Sequence, residues 1–471
     1  MSLTEISVKF KDFERTVQKL CFEIGREMIK NLLEEWDNHL MSIRDKSVYR
    51  HVGRKQTTIK TVIGEVTYIR AQYEIIDDEG VKHYVYLLDE AMGINDSGHF
   101  SELLREMIVR SCCASPYREA ARSVSEMTGQ TISHTAAWNV VQAVGTQIDG
   151  WEQHSSALAA QEKGTGTIEA KVLFEEQDGI SLSLQGKSRK EYGERKDMKV
   201  AIAYDGMKKV RRNRYELTNK VACASFEGVE EFVKRKEGVI AGAYAVDEIT
   251  MRFLNGDGAR WIKHSQTDET VHFQLDPFHR NEAVTRYVSD PAASELITEI
   301  MYSNDTDLLL HVIEVEALST DDEDIRDNYM KLHSYFQNNK DGLVPYKQRG
   351  LDIPEPPNGK LYRRMGAMES NIYTIIGNRM KGGRANWSIT GGENLARLLC
   401  LKFTGRLASV LGSMSVHLLS ERYTEEVVVT MSAAKAPLRE GKGYDGFPQA
   451  MIPSTMKWLK EIAAMRPVYS F

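Results

Sequence analysis

Two aspartates and a glutamate, each in a different local setting, are the residues of this chain best suited to chemistry. Asp178 stands in Glu175-Glu176-Gln177-Asp178-Gly179, ahead of the alternating run Ile180-Ser181-Leu182-Ser183-Leu184. Asp257 stands in Leu254-Asn255-Gly256-Asp257-Gly258, behind an apolar stretch, and Glu369 in Met368-Glu369-Ser370-Asn371, where a helical pattern begins. Two carboxylates at strand ends and one on a later helix can converge on a pair of divalent ions. Such a pair cuts and rejoins phosphodiesters. Phosphoryl transfer asks for an in-line nucleophile and neutralised phosphoryl oxygens, and hard carboxylate oxygens suit Mg or Mn. Without cations, three crowded carboxylates would resist ionisation.

Each acid also has a plain structural reading. Asp-Gly is a common turn pair, which covers Asp178-Gly179 and Asp257-Gly258. Glu369 fits the first turn of a helix, where the dipole favours an acid. Glu175 and Glu176 compete with Asp178 for the first role, and Glu393 reads as the end of a capping box, Thr390-x-x-Glu393. Beyond Asp257, the run Leu275-Asp276-Pro277-Phe278-His279-Arg280 follows a short strand. Its Asp276-x-x-His279 pair can lean over an active site and orient phosphate or a metal ligand. A lone histidine is otherwise usually structural.

The elements that must position these residues are legible as patterns. Residues 10–36 place Phe10, Phe13, Val17, Leu20, Ile24, Met28, Leu32 and Trp36 at helical, nearly heptad spacing, a core face or a dimer seam. Two β-branched runs around Gly64-Glu65 predict a hairpin. Ser115-Pro116 opens a helix, Gly129 breaks it, and Ser133 can cap a second helix carrying His134, Trp138 and Asn139. That is a helix-turn-helix plan, in which the second helix would enter a major groove. After a polar linker near 155–166, strands are predicted at 169–174 and 180–184 flanking Asp178, then at 200–204, 221–226 and 272–275. A helix near 229–236 interrupts them. Three strands, a helix, then strand–helix–strand is the order of a ribonuclease H-like sheet. Residues 283–340 read as helical, Ile353-Pro354-Glu355-Pro356-Pro357 forces an extended return, and two helices follow.

At 471 residues the chain should hold several domains. The expected divisions are a helix-plus-hairpin domain over 1–90, a helix-turn-helix-like region over 91–155, and a first catalytic part over 165–282. A helical insertion over 283–360 and catalytic-domain helices with a tail over 361–471 complete it. No run of about 18 apolar residues exists, which argues against a membrane span, and no signal peptide is readable at the start. The five cysteines are odd in number and without Cys-x-x-Cys spacing, so buried thiols in a reducing cytosol are expected. The net charge of −6 hides three basic clusters, at 44–70, 187–199 and 208–214. Solvated faces are the plain reading of each, but phosphate binding depends on local charge and not on the sum.

Taken in order, Asp178-Gly179, Gly256-Asp257-Gly258-Ala259-x-Trp261-Ile262, Asp276-Pro277-Phe278-His279 and Met368-Glu369-Ser370-Asn371 resemble the ISLre-type bacterial insertion-sequence transposases. Arg379-Met380-Lys381, Asn386-Trp387-Ser388 and Gly391 continue the likeness. That family is distantly similar to the Mutator-like DDE transposases, which carry a helical insertion before the last acid. Here 112 residues separate Asp257 from Glu369, against 79 between Asp178 and Asp257. The resemblance implies an α/β, ribonuclease H-like catalytic domain with an inserted helical region, preceded by mainly helical DNA-binding modules. It implies Asp178, Asp257 and Glu369 as the triad for two divalent ions, Mg or Mn, with Asp276 and His279 as accessory residues.

The expected activity is hydrolysis at element ends followed by joining of the 3′ end to target DNA. A homodimer or larger assembly on double-stranded DNA is expected, in the cytoplasm with the nucleoid. Candidate DNA contacts are Ser133, His134, Asn139, Lys208, Arg211, Arg212, Trp261, Arg379 and Lys381. Trp261 and Trp387 can stack on a splayed base, although tryptophan is more often core. The rival readings are a non-catalytic DNA-binding derivative and a structure-specific nuclease on the same fold.

Overall fold

The computed structural model describes residues 10–77, 79–94, 100–161 and 163–412. Their contacts divide the chain into two units. One is drawn from residues up to Cys112, from Tyr117–Ala137 and from Ala408 onward; the other from Cys113–Pro116 and Trp138–Leu407. The expected tail beyond 412 lies outside the described residues.

The first unit is built on a long helix, Phe10–Ile43, and an antiparallel sheet of β1 (Arg50–Thr61), β2 (Gly64–Ile76) and β3 (Lys82–Val85). The β-branched runs form β1 and β2 as their composition predicts. Their turn falls at Val62-Ile63, however, with Gly64 already inside β2 at φ +116°. The C-terminal half of the helix lays Ile29, Leu33, Trp36 and Leu40 on Ile59, Val66 and Tyr68. The N-terminal half leaves Phe10, Phe13, Val17, Leu20 and Ile24 exposed. Buried Asp37 accepts the Ala71 amide on both carboxylate oxygens, at 3.1 and 3.0 Å. Helix Tyr117–Thr128 starts directly after Ser115-Pro116, and Gly129 turns at φ +67°. Ser133 caps the next helix through the Ala136 amide (3.0 Å).

In the second unit a five-stranded mixed sheet runs in the order β10-β9-β4-β5-β8. Its strands are β4 (Val172–Ser183), β5 (Arg195–Tyr204), β8 (Val221–Ser225), β9 (Met251–Gly256) and β10 (Val271–Leu275). β5 is antiparallel to both β4 and β8, whereas β9 runs parallel to β4 and β10. Strands 169–174 and 180–184 are therefore one strand, with Asp178 inside it opposite Val200. An aspartate in a period-two pattern need not mark a turn when its neighbours keep alternating. A separate hairpin, β6 (Met207–Arg211) with β7 (Arg214–Leu217), lies between β5 and β8 in sequence, its strand character masked by charge.

The stretch predicted to be helical holds helices Pro277–Tyr287, Pro291–Ser303, Thr306–Ser319 and Glu323–Asn338. Asp276, Asp290, Asp305 and Asp322 cap them, each accepting amides of the first turn. Their inner faces bury Ile297, Ile313, Leu332 and Phe336 in a core shared with Phe273 and Leu275. The proline-rich return is non-helical, with a turn at Asn358-Gly359. It leads into a helical run from Met368 to Met380, π-helical over Tyr373–Gly377, and then into helix Ile389–Thr404. The cap of that last helix is Ser388, which accepts the Gly391 amide (3.1 Å). Glu393 is not the cap: it reaches across to accept Ser225 Oγ (3.0 Å) and the Phe226 amide (3.1 Å).

Cys112, Cys113, Cys223 and Cys400 are buried and outside any disulfide, whereas Cys21 is exposed. No helix among the described residues is long and apolar enough to cross a membrane.

Candidate metal centre

Register alone brings the acids to one edge. Glu176 of β4 lies beside Asn255 of β9, and Asn255 beside Gln274 of β10, all in parallel strands. Asp178 stands two residues further along β4, while Asp257 and Asp276 stand one residue past the ends of β9 and β10, so strand pairing brings three acidic positions to one end of these parallel strands.

Onto that edge fold His279, one turn into the helix that Asp276 caps, and Glu369. One ligand atom each from Asp178, His279 and Glu369 lies within 4.8 Å of the others. Asp257, expected in the triad, is not in that group. Its Oδ1 accepts the Ala259 amide (2.8 Å), and its charge still acts on both Asp178 and His279. Sequence reading gave His279 an accessory place; the structure puts it among the potential ligands.

The electrostatics suit a cation. Burial pushes the Asp178 carboxyl up to about 6; the Gly179 amide and His279 oppose this, while Asp257 and Glu369 add to it. The hydrogen bond to Asp276 (3.2 Å), aided by the charges of Asp178 and Asp257, pushes His279 up to about 9 against its burial. Burial would raise Asp276, but bonds from His279 and from Asn255 Nδ2 (2.7 Å) outweigh it and hold the carboxyl low. A carboxylate on one imidazole nitrogen fixes ring orientation, leaving the other nitrogen for an ion.

The three acids of Glu175-Glu176-Gln177-Asp178 are told apart by their partners. Glu175 faces the other side of the sheet, bound by Lys236 (2.5 Å) and Arg252 (2.5 Å). Glu176 is fully buried and accepts Tyr204 Oη (2.6 Å), Asn255 Nδ2 (3.3 Å) and the amides of Gly366 (3.1 Å) and Met368 (2.9 Å). Only Asp178 is left partly open, its carboxylate accepting the adjacent Gly179 amide (2.7 Å). Glu176 thus ties β4 to the segment that delivers Glu369, and Asn255 links it to Asp276.

The Asp257 turn is held by the helical insertion. Tyr335 Oη donates to the Asp257 carbonyl (2.8 Å), and Asn339 Nδ2 donates to the Tyr335 carbonyl (2.8 Å). Gly258 has φ +85°, and a Cβ there would stand 2.3 Å from Asn339 Oδ1. Gly258→Ala is therefore expected to cost about 1–3 kcal/mol of stability. Denaturant melts check this; a wild-type value would refute the constraint.

Asp178 also sets a pH dependence. It holds its proton to about 6 in the fold, against about 3.9 in an unfolded chain. The stability from that difference is present at low pH and lost as pH rises from about 4 through about 6. A divalent ion competes for the same oxygens, and His279 must also yield its proton to bind one. Mn is thus expected to raise the melting temperature clearly at pH 7.5 and little at pH 5. Equal shifts at both pH values would contradict a site containing Asp178 and His279.

The candidate DNA contacts fare unevenly. Ser133, His134 and Asn139 are exposed at the start of the second helix of the helix-turn-helix plan, Ser133 serving as its cap. Lys208, Arg211 and Arg212 are exposed on the β6–β7 hairpin, and Lys381 is exposed. Trp261 is instead a packing residue, edge-on to Phe232 with centroids 5.7 Å apart. Trp387 is buried, its Nε1 donating to the Met380 carbonyl (2.9 Å). The guanidinium of Arg379 lies over the Trp387 ring at 5.5 Å, so it too is partly a packing group. Both indoles fill sites beside apolar neighbours, where burying their large surface outweighs leaving them free for a base.

Residues 3–412 match the model of a family described as "Uncharacterised protein family (UPF0236)". The chain is also similar to a protein of Streptococcus gallolyticus described as "UPF0236 protein in vanSb 3'region". The two are 22% identical over 418 residues, covering 86% of this chain and 85% of the relative.

Proposed function

The chain belongs to the UPF0236 family, and we propose that it is a metal-dependent DNA transposase of the insertion-sequence type its motifs resemble. The observation that carries this reading is the meeting of Asp178, His279 and Glu369 within 4.8 Å, from positions far apart in the chain. We read the sheet as ribonuclease H-like. Its strand order, with β5 alone running antiparallel to β4, β8, β9 and β10, supports that reading.

Two carboxylates and an imidazole fit Mg or Mn, and Asp178, Glu369 and His279 would hold the ions, with Asp257 adding charge beside them. Ions so held supply a more acidic attacking water and charge neutralisation at the phosphoryl oxygens. The chain's own residues position the reactants. Asp276 fixes the His279 ring, Glu176 holds the approach to Glu369, and Tyr335 holds the Asp257 turn. The partner is double-stranded DNA, at element ends and target, in the cytoplasm with the nucleoid. Processing two ends together calls for a homodimer or larger assembly, for which the exposed stripe Phe10, Phe13, Val17, Leu20 and Ile24 is the candidate contact.

The test is incubation of the full chain with a supercoiled plasmid carrying the DNA that flanks the gene, with Mg, Mn or EDTA. Metal-dependent nicks whose 3′ ends join a second duplex support the transposase. Nicks without joining favour a structure-specific nuclease. Duplex binding without any cleavage favours a non-catalytic derivative.

A further inference from the structure

The β6–β7 hairpin is a charged tip on a fixed root. From Lys208 to Arg214 it carries Lys208, Lys209, Arg211, Arg212 and Arg214, all exposed. Arg214 meets only the exposed Glu216, at 3.6 Å. The other four make no ion pair among the described residues. The other two basic clusters are partly engaged internally: Arg70 pairs with Asp89 (2.7 Å), Lys60 with Glu65 (3.2 Å), and Lys199 donates to the Glu227 carbonyl (2.7 Å). Like charges this dense on a two-stranded ribbon repel one another and weaken an element already marginal by itself. The root offsets this. Met207 and Leu361 exchange backbone bonds of 2.9 and 2.8 Å, and Arg363 stacks 3.4 Å from the Tyr215 ring centroid. Buried Asp205 accepts Thr218 Oγ1 (2.6 Å), Asn219 Nδ2 (2.7 Å) and Lys360 Nζ (2.5 Å). The hairpin is thus joined to residues 360–363, on the same extended segment that Glu176 grips at Gly366 and Met368 just before Glu369.

We propose that this hairpin is a duplex-DNA contact built in one piece with the segment carrying Glu369, so that gripping the duplex also holds the third acid in place. This rests on the phosphodiester reading of the site. Successive residues Lys208 and Lys209 face opposite sides of the ribbon, so both faces are positive. A membrane surface or an acidic peptide would need one charged face. A major groove, about 12 Å wide, admits a two-stranded ribbon and flanks it with phosphates on both sides.

The experiment uses the full chain carrying Asp178→Asn, to prevent cleavage, with and without Lys208→Gln, Lys209→Gln, Arg211→Gln and Arg212→Gln together. Anisotropy with a random 30-base-pair duplex (about three helical turns) is followed over a KCl series, with anionic vesicles as a second probe. The quadruple variant is expected to bind at least about tenfold more weakly. Its slope of log K against log salt should be shallower by about 3, since each phosphate contact contributes about 0.9. Unchanged affinity and slope overturn the proposal while leaving the metal site standing, as does a loss confined to vesicles. A parent that binds no duplex overturns both readings. In the cleavage-competent chain, Lys360→Met is expected to lower cleavage several-fold with duplex affinity within about twofold; unchanged cleavage refutes the link to Glu369.

Discussion

Asp178→Asn is expected to lower metal-dependent strand cleavage by roughly a thousandfold or more, while duplex binding and the fold survive. The argument combines position and charge. Asp178 is the carboxylate of its stretch left free of a strong partner, and it lies in the 4.8 Å group with His279 and Glu369. An amide is a poorer ligand for a hard cation, and the charge stabilisation lost, of order 4 kcal/mol, corresponds to about three decades in rate. The same substitution removes a carboxyl that burial already holds near about 6. The metal-free protein should therefore melt higher at pH 7.5 than the wild type, and the Mn-induced shift should vanish. Loss of function with a gain in stability separates a ligand from a structural residue. Asp257→Asn is expected to follow the same pattern for cleavage, with DNA binding intact. Retained cleavage in either variant would sink its assignment.

Glu176→Ala carries the second large effect, through structure and not through contact with substrate. Four donors converge on its carboxylate: the Tyr204 hydroxyl, the Asn255 amide and the backbone of Gly366 and Met368. Alanine would take the acceptor from the buried Tyr204 hydroxyl and Met368 amide and from the part-buried Gly366 amide, while Asn255 Nδ2 keeps its bond to Asp276 (2.7 Å). Single orphaned groups cost about 1–3 kcal/mol; with partial relaxation, a loss of roughly 3–5 kcal/mol is expected for the hub. Glu176→Gln keeps an oxygen for the amide donors and can turn its own NH2 toward Tyr204, so it should fold and keep most cleavage. Burial raises the Glu176 carboxyl above its ordinary range despite its donors, which makes a neutral replacement tolerable. Denaturant melts and cleavage rates on both variants decide the matter. A Gln variant as inactive as Asp178→Asn, yet fully stable, would make Glu176 a metal ligand and reverse the assignment.

Much of the frame was legible because its signals are local. β-branched and apolar runs marked β5 and β8 and both halves of β4, though not that the halves are one strand; helical spacing without strand alternation marked the insertion; the prolines near 354–357 marked the non-helical return. The order of the acids, with Asp276-x-x-His279 between them, carried the family resemblance that singled them out. Other assignments depend on what stands opposite a side chain, which no local pattern encodes. Glu175, Glu176 and Asp178 are nearly interchangeable as text. Lys236 and Arg252 on one face, and Tyr204 with two distant amides on the other, engage the first two. Glu393 looked like a cap until Ser388 proved closer to the helix start and β8 offered it donors. Trp261 and Trp387 looked available for a base until neighbours distant in sequence enclosed them.

The acids keep their order, but their grouping comes from the tertiary structure. Sequence determined that Asp257 would lie near a strand end and Glu369 on a later helix, because period and capping are set within a few residues; Asp178, expected at a strand end, lies inside β4. It also placed His279 one turn beyond Asp276. Only the folded chain decided that His279, and not Asp257, stands within ligand distance of Asp178 and Glu369. The reason is register: parallel pairing brings the ends of β9 and β10 beside Asp178 of β4, Asp276 caps the helix that carries His279, and Glu176 fixes where the returning segment lands.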